Sequence, residues 1–351
     1  MRLIRYYLIL QIFFSISYAD EITKYINKAI VSDNNKHLAI SSYSNHTNTV
    51  SLWDSSTFPY KMIKTFDFND NTSINDIVFS HNNIFLAAGI NNEVYIWDVK
   101  THKLLEKLKN YHAVSSIKFS EDDKYLIVGG QKDNIFVWNA KDDFSFVSQI
   151  DGEAPSFIEK LFPKTLFREG ISVTAINFSQ NGHLLIVSYE DKKSQIFDIN
   201  ENFKKIKVLA NEENLAYEVF FRNKFIITSS DNISEVFDSK APFEKKKVLK
   251  DLSQDLYSAA LSKDNKYYIT SGGYSGLIRI WDTNNDFKEI AILEGHEEYT
   301  TSLQFFKDDK YILSAGGDDS VKIWKTENYD LVAKIFINDK NNLLFQDLKH
   351  Q

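Results

Sequence analysis

The chain contains no cysteine, which excludes a disulfide framework, a lipid-modified cysteine anchor and haem attachment through thioethers. Its 4 prolines and 12 glycines in 351 residues argue against a disordered or low-complexity chain. The eight histidines include no His-Glu-x-x-His and no pair at helical spacing, so no metal centre is expected. A formal net charge of -7 repels phosphate backbones and excludes nucleic acid as an expected partner.

What is abundant points to strands. Hydrophobic residues make up 43% and aromatics 14% of the chain, a balance suited to many short strands carrying large side chains. Residues 1–19 stand apart: Arg2 and Arg5 precede an apolar run from Tyr6 to Ser17, and Ser17 and Ala19 flank Tyr18. This arrangement reads as an export signal cleaved after Ala19, too short to span a bilayer comfortably. Without its two arginines the mature chain carries 39 bases against 48 acids, or -9. A periplasmic or secreted protein is expected, with no stable membrane insertion after cleavage.

One phrase then recurs along the remainder. An apolar strand ends in an aromatic, often followed by Asp: TVSLWD at Trp53, EVYIWD at Trp97, NIFVWN at Trp138, SQIFDI at Phe197, SEVFDS at Phe237, LIRIWD at Trp281 and VKIWK at Trp324. The aromatics lie 44, 41, 59, 40, 44 and 43 residues apart, close to the roughly 40–45 of a four-stranded propeller blade at every step but one. A hairpin precedes each aromatic, as in DIVFSHNNIFLAAG and SIKFSEDDKYLIVGG, where Asn and Asp supply the turn. A further strand, such as KLLEKL or EIAILEG, leads to the next copy.

Seven aromatic strand ends in step with seven hairpins resemble the WD-repeat β-propeller family over roughly Ile22 to Asn338. The resemblance implies an all-β, seven-bladed β-propeller with four antiparallel strands per blade, over residues 20–340, and a C-terminal tail, 341–351. Blades are expected to follow one another in simple order, with an innermost strand near Lys28 and an outermost one near Leu331 to Ile337. The tail from Leu343 to Leu348 is expected to pair with a neighbouring blade or to fray. The resemblance also implies a structural network in the last blade linking His296, Ser314, Asp318 and Trp324. Trp53, Trp97, Trp138, Phe197, Phe237 and Trp281 become the apolar plugs of the other blades. Tyr111 and His112 replace Gly-His before blade 3, where Lys132 and Asp133 occupy the matching turn, so that network is degraded there.

The long spacing holds an insertion over 151–170. Phe157, Ile158, Leu161, Phe162, Leu166 and Phe167 are apolar in a connection that ought to be polar; they either bury themselves on the ring or meet a partner. Gly129-Gly130, Gly272-Gly273 and Gly316-Gly317 lack a following Lys-Ser/Thr pair and read as turn glycines. The pairs Asp122-Asp123, Asp142-Asp143 and Asp308-Asp309 read as solvated turn carboxylates. The expected function is a non-catalytic, cofactor-free scaffold for a protein or peptide partner. The resemblance extends to accessory components of periplasmic respiratory enzymes, nitrate reductase among them. The alternatives are a propeller enzyme or a small-ligand binder using the central channel, where the innermost strands offer Asp76 and Glu218.

Overall fold

The computed structural model describes residues 25–347 except 45, 58, 70–71, 111, 132–133, 152–170, 211–215, 223, 231–232, 251–255, 273–274, 295 and 338–342. The proposed export signal therefore lies outside the described residues, as do Tyr111, Lys132, Asp133 and the six apolar residues of the insertion. Seven antiparallel sheets follow one another, six of four strands and a last of five. They span residues 25–68, 74–109, 114–151, 173–210, 218–250, 256–293 and 300–347, and are here blades 1 to 7. No helix among the described residues is long and apolar enough to cross a membrane.

The hairpin that opens each blade is encoded locally. In five blades a serine directly follows the innermost strand, and its hydroxyl donates to an Asx side chain two residues on. These pairs, Ser32–Asn34, Ser80–Asn82, Ser120–Asp122, Ser179–Asn181 and Ser262–Asp264, lie at 2.7–2.8 Å. The same oxygen accepts the backbone N–H five residues on, at 2.8–3.0 Å. The turn thus satisfies its own polar groups without help from the rest of the fold.

The residue after each Asx is left-handed, at φ 58° for Asn35, 62° for Asn83, 53° for Asp123 and 60° for Asp309. Asn and Asp tolerate this conformation, and here they use it to reach the neighbouring blade. Asp123 accepts the N–H groups of His81 and Asn82 at 2.8 and 2.7 Å, and Asp309 those of Lys263 and Asp264 at 3.0 Å each. Asn83 accepts from Asn34 at 3.0 Å and Asn35 from Lys307 at 2.8 Å. Asp123, at 5% exposure, is therefore an inter-blade staple and not the solvated turn carboxylate its sequence suggests. Asp309 does the same work, because a left-handed turn aims the carboxylate sideways.

Two irregularities recur. The pairing of third and fourth strands shifts register immediately before the plug aromatic in all seven blades; such a bulge re-aims a side chain. Six innermost strands carry another shift near their start, as at Ile74/Asp76 and Thr300/Ser302. The residues beside these shifts reach the next blade: Asn75 Nδ2 donates to the Val114 carbonyl at 2.7 Å and the Ser115 hydroxyl to Val173 at 2.6 Å.

The ring closes between blades 7 and 1 without exchange of strands. The Gln304 side chain accepts the Val31 N–H at 2.7 Å and donates to its carbonyl at 2.9 Å, while Ser302 Oγ accepts from Ala29 N–H at 3.0 Å. Ile26, Leu38 and Ile40 pack with Leu313, Val321 and Ile335 in one cluster across the joint. The tail behaves differently from expectation. Leu343–Asp347 pairs antiparallel with Leu331–Ile337 of its own blade, covering an outer edge that reads LVAKIFI. The outer strands of the other blades pair with no further strand among the described residues, and all but Ser145–Asp151 carry lysines, as in KKIKVLA and KKKVLK. Charge suits an edge left unpaired, and an apolar edge needs a cover.

Four of the paired glycines also differ from expectation, whereas Gly317 lies in a turn and Gly273 outside the described residues. Gly129 and Gly130 end a strand, and Gly272 and Gly316 each close theirs. A Cβ at Gly129 would lie 2.6 Å from Val173 Cγ1 of the next blade. Close blade packing, and not turn geometry, requires the missing side chain there.

Candidate functional site

Blade 7 gathers a serine, a histidine and an aspartate, the residue types of a nucleophilic triad. His296 Nδ1 donates to Asp318 Oδ1 at 2.9 Å. Its Nε2 then accepts from the Ser314 hydroxyl at 2.7 Å, and Ser314 Oγ accepts from Trp324 Nε1 at 2.9 Å. The direction of every bond follows from Trp donating only and a carboxylate accepting only. Ser314 is fully buried and His296 is 6% exposed, so no substrate reaches the hydroxyl. A Cβ on Gly316 would sit 2.4 Å from the imidazole, so the ring is held by direct backbone contact. The arrangement is a buried staple in which each polar group has a partner.

Asp318 takes more than the histidine. Oδ1 also accepts from Ser320 at 2.7 Å, and Oδ2 accepts from Lys322 Nζ at 2.7 Å and the Glu297 N–H at 3.1 Å. Burial would raise its pKa, but the contacts of His296, Lys322 and Ser320 outweigh it and hold the carboxyl well below the usual range. His296 shifts downward because burial outweighs the neighbouring carboxylate. Lys322, fully buried, is a member the sequence reading missed; its position four residues after Asp318, on a strand, gave no sign that it turns back to the carboxylate.

The other blades show why the staple is confined. The strand position of Ser314 holds Thr270 in blade 6, and Trp281 Nε1 donates to its hydroxyl at 3.0 Å. Thr228 of blade 5 occupies the same column, but Phe237 brings no N–H to it. Ile40, Ala88, Val128 and Val187 occupy it in blades 1 to 4. Trp53 Nε1 instead uses Ser51 at 2.9 Å. Trp53, Trp97, Phe197, Phe237, Trp281 and Trp324 are all buried, between 1% and 8% exposed. Trp138 is only half-buried and meets Phe146 edge to face at 5.4 Å. In blade 5, Tyr268 of the next blade takes the missing polar role, its hydroxyl 2.5 Å from Ser229 Oγ and 2.9 Å from Ser234 Oγ.

The seven innermost strands enclose a central channel of about 580 Å³. Aligned by their inter-blade bonds, one column facing it reads Lys28, Asp76, Ser116, Ala175, Glu218, Ser258 and Ser302. Asp76 Oδ2 accepts from Ile117 N–H at 2.8 Å, and Ser258 Oγ from Leu303 N–H at 3.1 Å. Lys28 Nζ lies 2.6 Å from Asp76 Oδ1. Asp76 thus serves the ring, whereas Glu218 makes no hydrogen bond or ion pair with any described residue. Lys118, two residues beyond Ser116, is likewise without one. Burial pushes Glu218 up to about 7 against the pull of Lys28 and Lys118, and burial, with the charge of Lys28, pushes Lys118 down. Lys28 and Lys118 stand on innermost strands that hold no acid, Tyr25–Val31 and Val114–Phe119; only the closed ring brings them opposite Glu218.

At the mouth formed by the hairpin turns, His81 Nδ1 lies 3.0 Å from Asp33 and Arg222 3.7 Å from Glu121. No group of three or more His, Asp or Glu positioned for a metal ion occurs among the described residues.

The family model for the WD domain, G-beta repeat, matches residues 60–98, 103–139, 244–282 and 287–325. Each match begins with the outer strand of one blade and ends on the third strand of the next, so the sequence repeat is offset by one strand from the blade. The chain belongs to the WD-repeat β-propeller family. Among curated WD-repeat relatives, Protein ROOT INITIATION DEFECTIVE 3 of Arabidopsis thaliana is 29% identical over 118 residues, 33% of this chain and 26% of that protein. The Transcriptional corepressor LEUNIG_HOMOLOG of Arabidopsis thaliana is 23% identical over 296 residues, 75% of this chain and 37% of that protein. WD repeat-containing protein 18 of Danio rerio is 34% identical over 73 residues, 20% of this chain and 16% of that protein. The matched region thus spans about a third or less of these relatives' own length. A chain in the crystal structure of the Mitotic Checkpoint Complex superposes with a TM-score of 0.72 at 16% identity, covering 87% of this chain and 90% of that one; this likeness concerns the fold. The family's repeat matches include none of the first three strands of blades 1, 4 and 5, whose plugs are Trp53, Phe197 and Phe237.

Proposed function

We propose that this WD-repeat propeller is a non-catalytic, exported scaffold that holds a protein or peptide partner on its rim. The observation that carries this reading is the destination of the chemically capable residues. His296, Ser314 and Asp318 are closed into a staple, and Asp76, Asp123 and Asp309 tie blade to blade. A ring that commits these groups to its own cohesion is suited to presenting connections, as family members do. The insertion over 151–170 joins the outer strand of blade 3, Ser145–Asp151, to the innermost strand of blade 4, Val173–Phe178, the step of the repeat at which His296 stands in blade 7, and is the proposed docking element. Export rests on residues 1–19, and a respiratory enzyme of the periplasm, nitrate reductase among them, is the specific partner class proposed.

Cross-linking of the tagged chain in the intact cell, followed by identification of what copurifies, tests the reading. One exported protein should be recovered with the full chain and lost when 152–170 is replaced by a short Gly-Ser linker. A mature N-terminus at Asp20 should accompany it. Recovery of no partner, or of the same partner by the linker form, would overturn the docking assignment; an uncleaved N-terminus would overturn export.

A further inference from the structure

The channel column divides into two arcs. Over blades 6, 7, 1 and 2, Ser258, Ser302 and Asp76 each accept a backbone N–H from the next blade, and Lys28 pairs with Asp76. Over blades 3 to 5 the same column offers Ser116, Ala175 and Glu218, and none of these makes a side-chain hydrogen bond with a described residue. Lys118 projects from the same face of its strand as Ser116. Between Lys118 and Glu218, blade 4 presents only the methyl group of Ala175, while Asn177 is engaged with the Val219 carbonyl at 2.8 Å. The arc therefore holds an ammonium group, a hydroxyl and a carboxyl facing a polar cavity without partners, next to a gap left by a small side chain.

We propose that this arc is a binding site for a small oxyanion, a carboxylate or phosphate group, held by Lys118 and Ser116 from blade 3 and by the Glu218 carboxyl from blade 5. All three then donate to the anion, which is the arrangement that strong oxyanion recognition uses. The site is independent of the rim scaffold: it uses the inside of the ring and residues that no inter-blade bond requires. Its electrostatics favour the same occupant. Lys118 and Glu218 are both pushed towards their neutral forms by the surrounding protein, and an anion beside them reverses the first shift and stabilises the second in its donor state.

Binding is consequently coupled to a proton. The groups facing Glu218 are Lys28, Asp76 and Lys118 across the channel and the Tyr268 hydroxyl behind it; neighbouring strands contribute Asn177 and Ser258, which do not titrate. Arg222, Glu121, His81, Asp33 and Lys263 lie at the mouth. Because Glu218 moves up to about 7, an anion bound above that pH draws a proton onto it.

Isothermal titration with inorganic phosphate and with acetate, each in two buffers of different ionisation enthalpy, tests the site on the full chain. One molecule should bind per ring, more weakly as pH rises through 7, with net proton uptake at pH 8. Lys118→Gln should weaken binding by about tenfold or more while leaving thermal stability unchanged or raised, since it removes a cation without a partner. Glu218→Gln should keep binding but abolish the proton uptake beyond that of the probe itself. No saturable heat with either probe, or equal affinity in wild type and Lys118→Gln, would overturn the proposal. Saturable binding with no proton uptake at pH 8 would remove Glu218 from it.

Discussion

Glu218→Gln isolates the energetic cost of an ionised carboxyl inside the ring. The ordinary carboxyl value of 4.5 rises to about 7 in the folded chain, even with Lys28 and Lys118 opposing the rise, so burial dominates. At about 1.36 kcal/mol per pH unit, the upper limit of this cost is about 3.4 kcal/mol at alkaline pH. Glu218 is only half-buried, so solvent screening discounts this to about 1–2 kcal/mol. A raised folded-state pKa means the folded chain binds the extra proton between 4.5 and 7. The associated stability is present below 4.5 and is lost as pH rises through 7. Gln, neutral at every pH and nearly isosteric, escapes that loss. Thermal unfolding should show no difference between variant and wild type at pH 4.5, and a melting temperature about 2–3 °C higher for the variant at pH 8.5. A constant difference across that range, or a less stable variant at pH 8.5, would refute the assignment of burial as the governing effect.

Further outcomes follow from the staples and edges. Ser314→Ala strands the Trp324 N–H and the His296 ring nitrogen in a fully buried pocket, and should cost about 2–4 kcal/mol in urea unfolding; a loss under 1 kcal/mol would show that the two regain partners. Gln304→Leu removes both side-chain bonds to Val31 across the joint, and hydrogen exchange should show the Val31 amide losing protection before those of blade 4. Truncation after Ile337 bares the LVAKIFI edge, and light scattering should report concentration-dependent association that the full chain lacks. A monodisperse truncated chain would show that the edge is harmless.

Much of this architecture is set by local sequence. The Ser-x-Asx turns close on themselves within six residues, so the hairpins are legible wherever that spelling occurs. The spacing of Trp53, Trp97, Trp281 and Trp324 fixes the blade period, since each aromatic must fill the same kind of inter-sheet gap. The four staple residues of blade 7 could likewise be picked out by the family resemblance, because their column positions repeat. Left-handed Asn35, Asn83, Asp123 and Asp309 show the limit: the sequence marks a turn residue, but whether its side chain meets water or the next blade depends on where that blade lies.

The sequence by itself determined the number of blades, their strands and their plugs, because those follow from turn chemistry and from hydrophobic period over tens of residues. Tertiary structure alone decided the contents of the channel. Lys28 and Glu218, which share the channel, are 190 residues apart in the chain, and Gln304 meets Val31 across 273; neither proximity has any local signature. Closing the ring places these groups in one confined, partly desolvated space. That confinement converts two ordinary surface-type charges, Lys118 and Glu218, into groups pushed away from their charged forms.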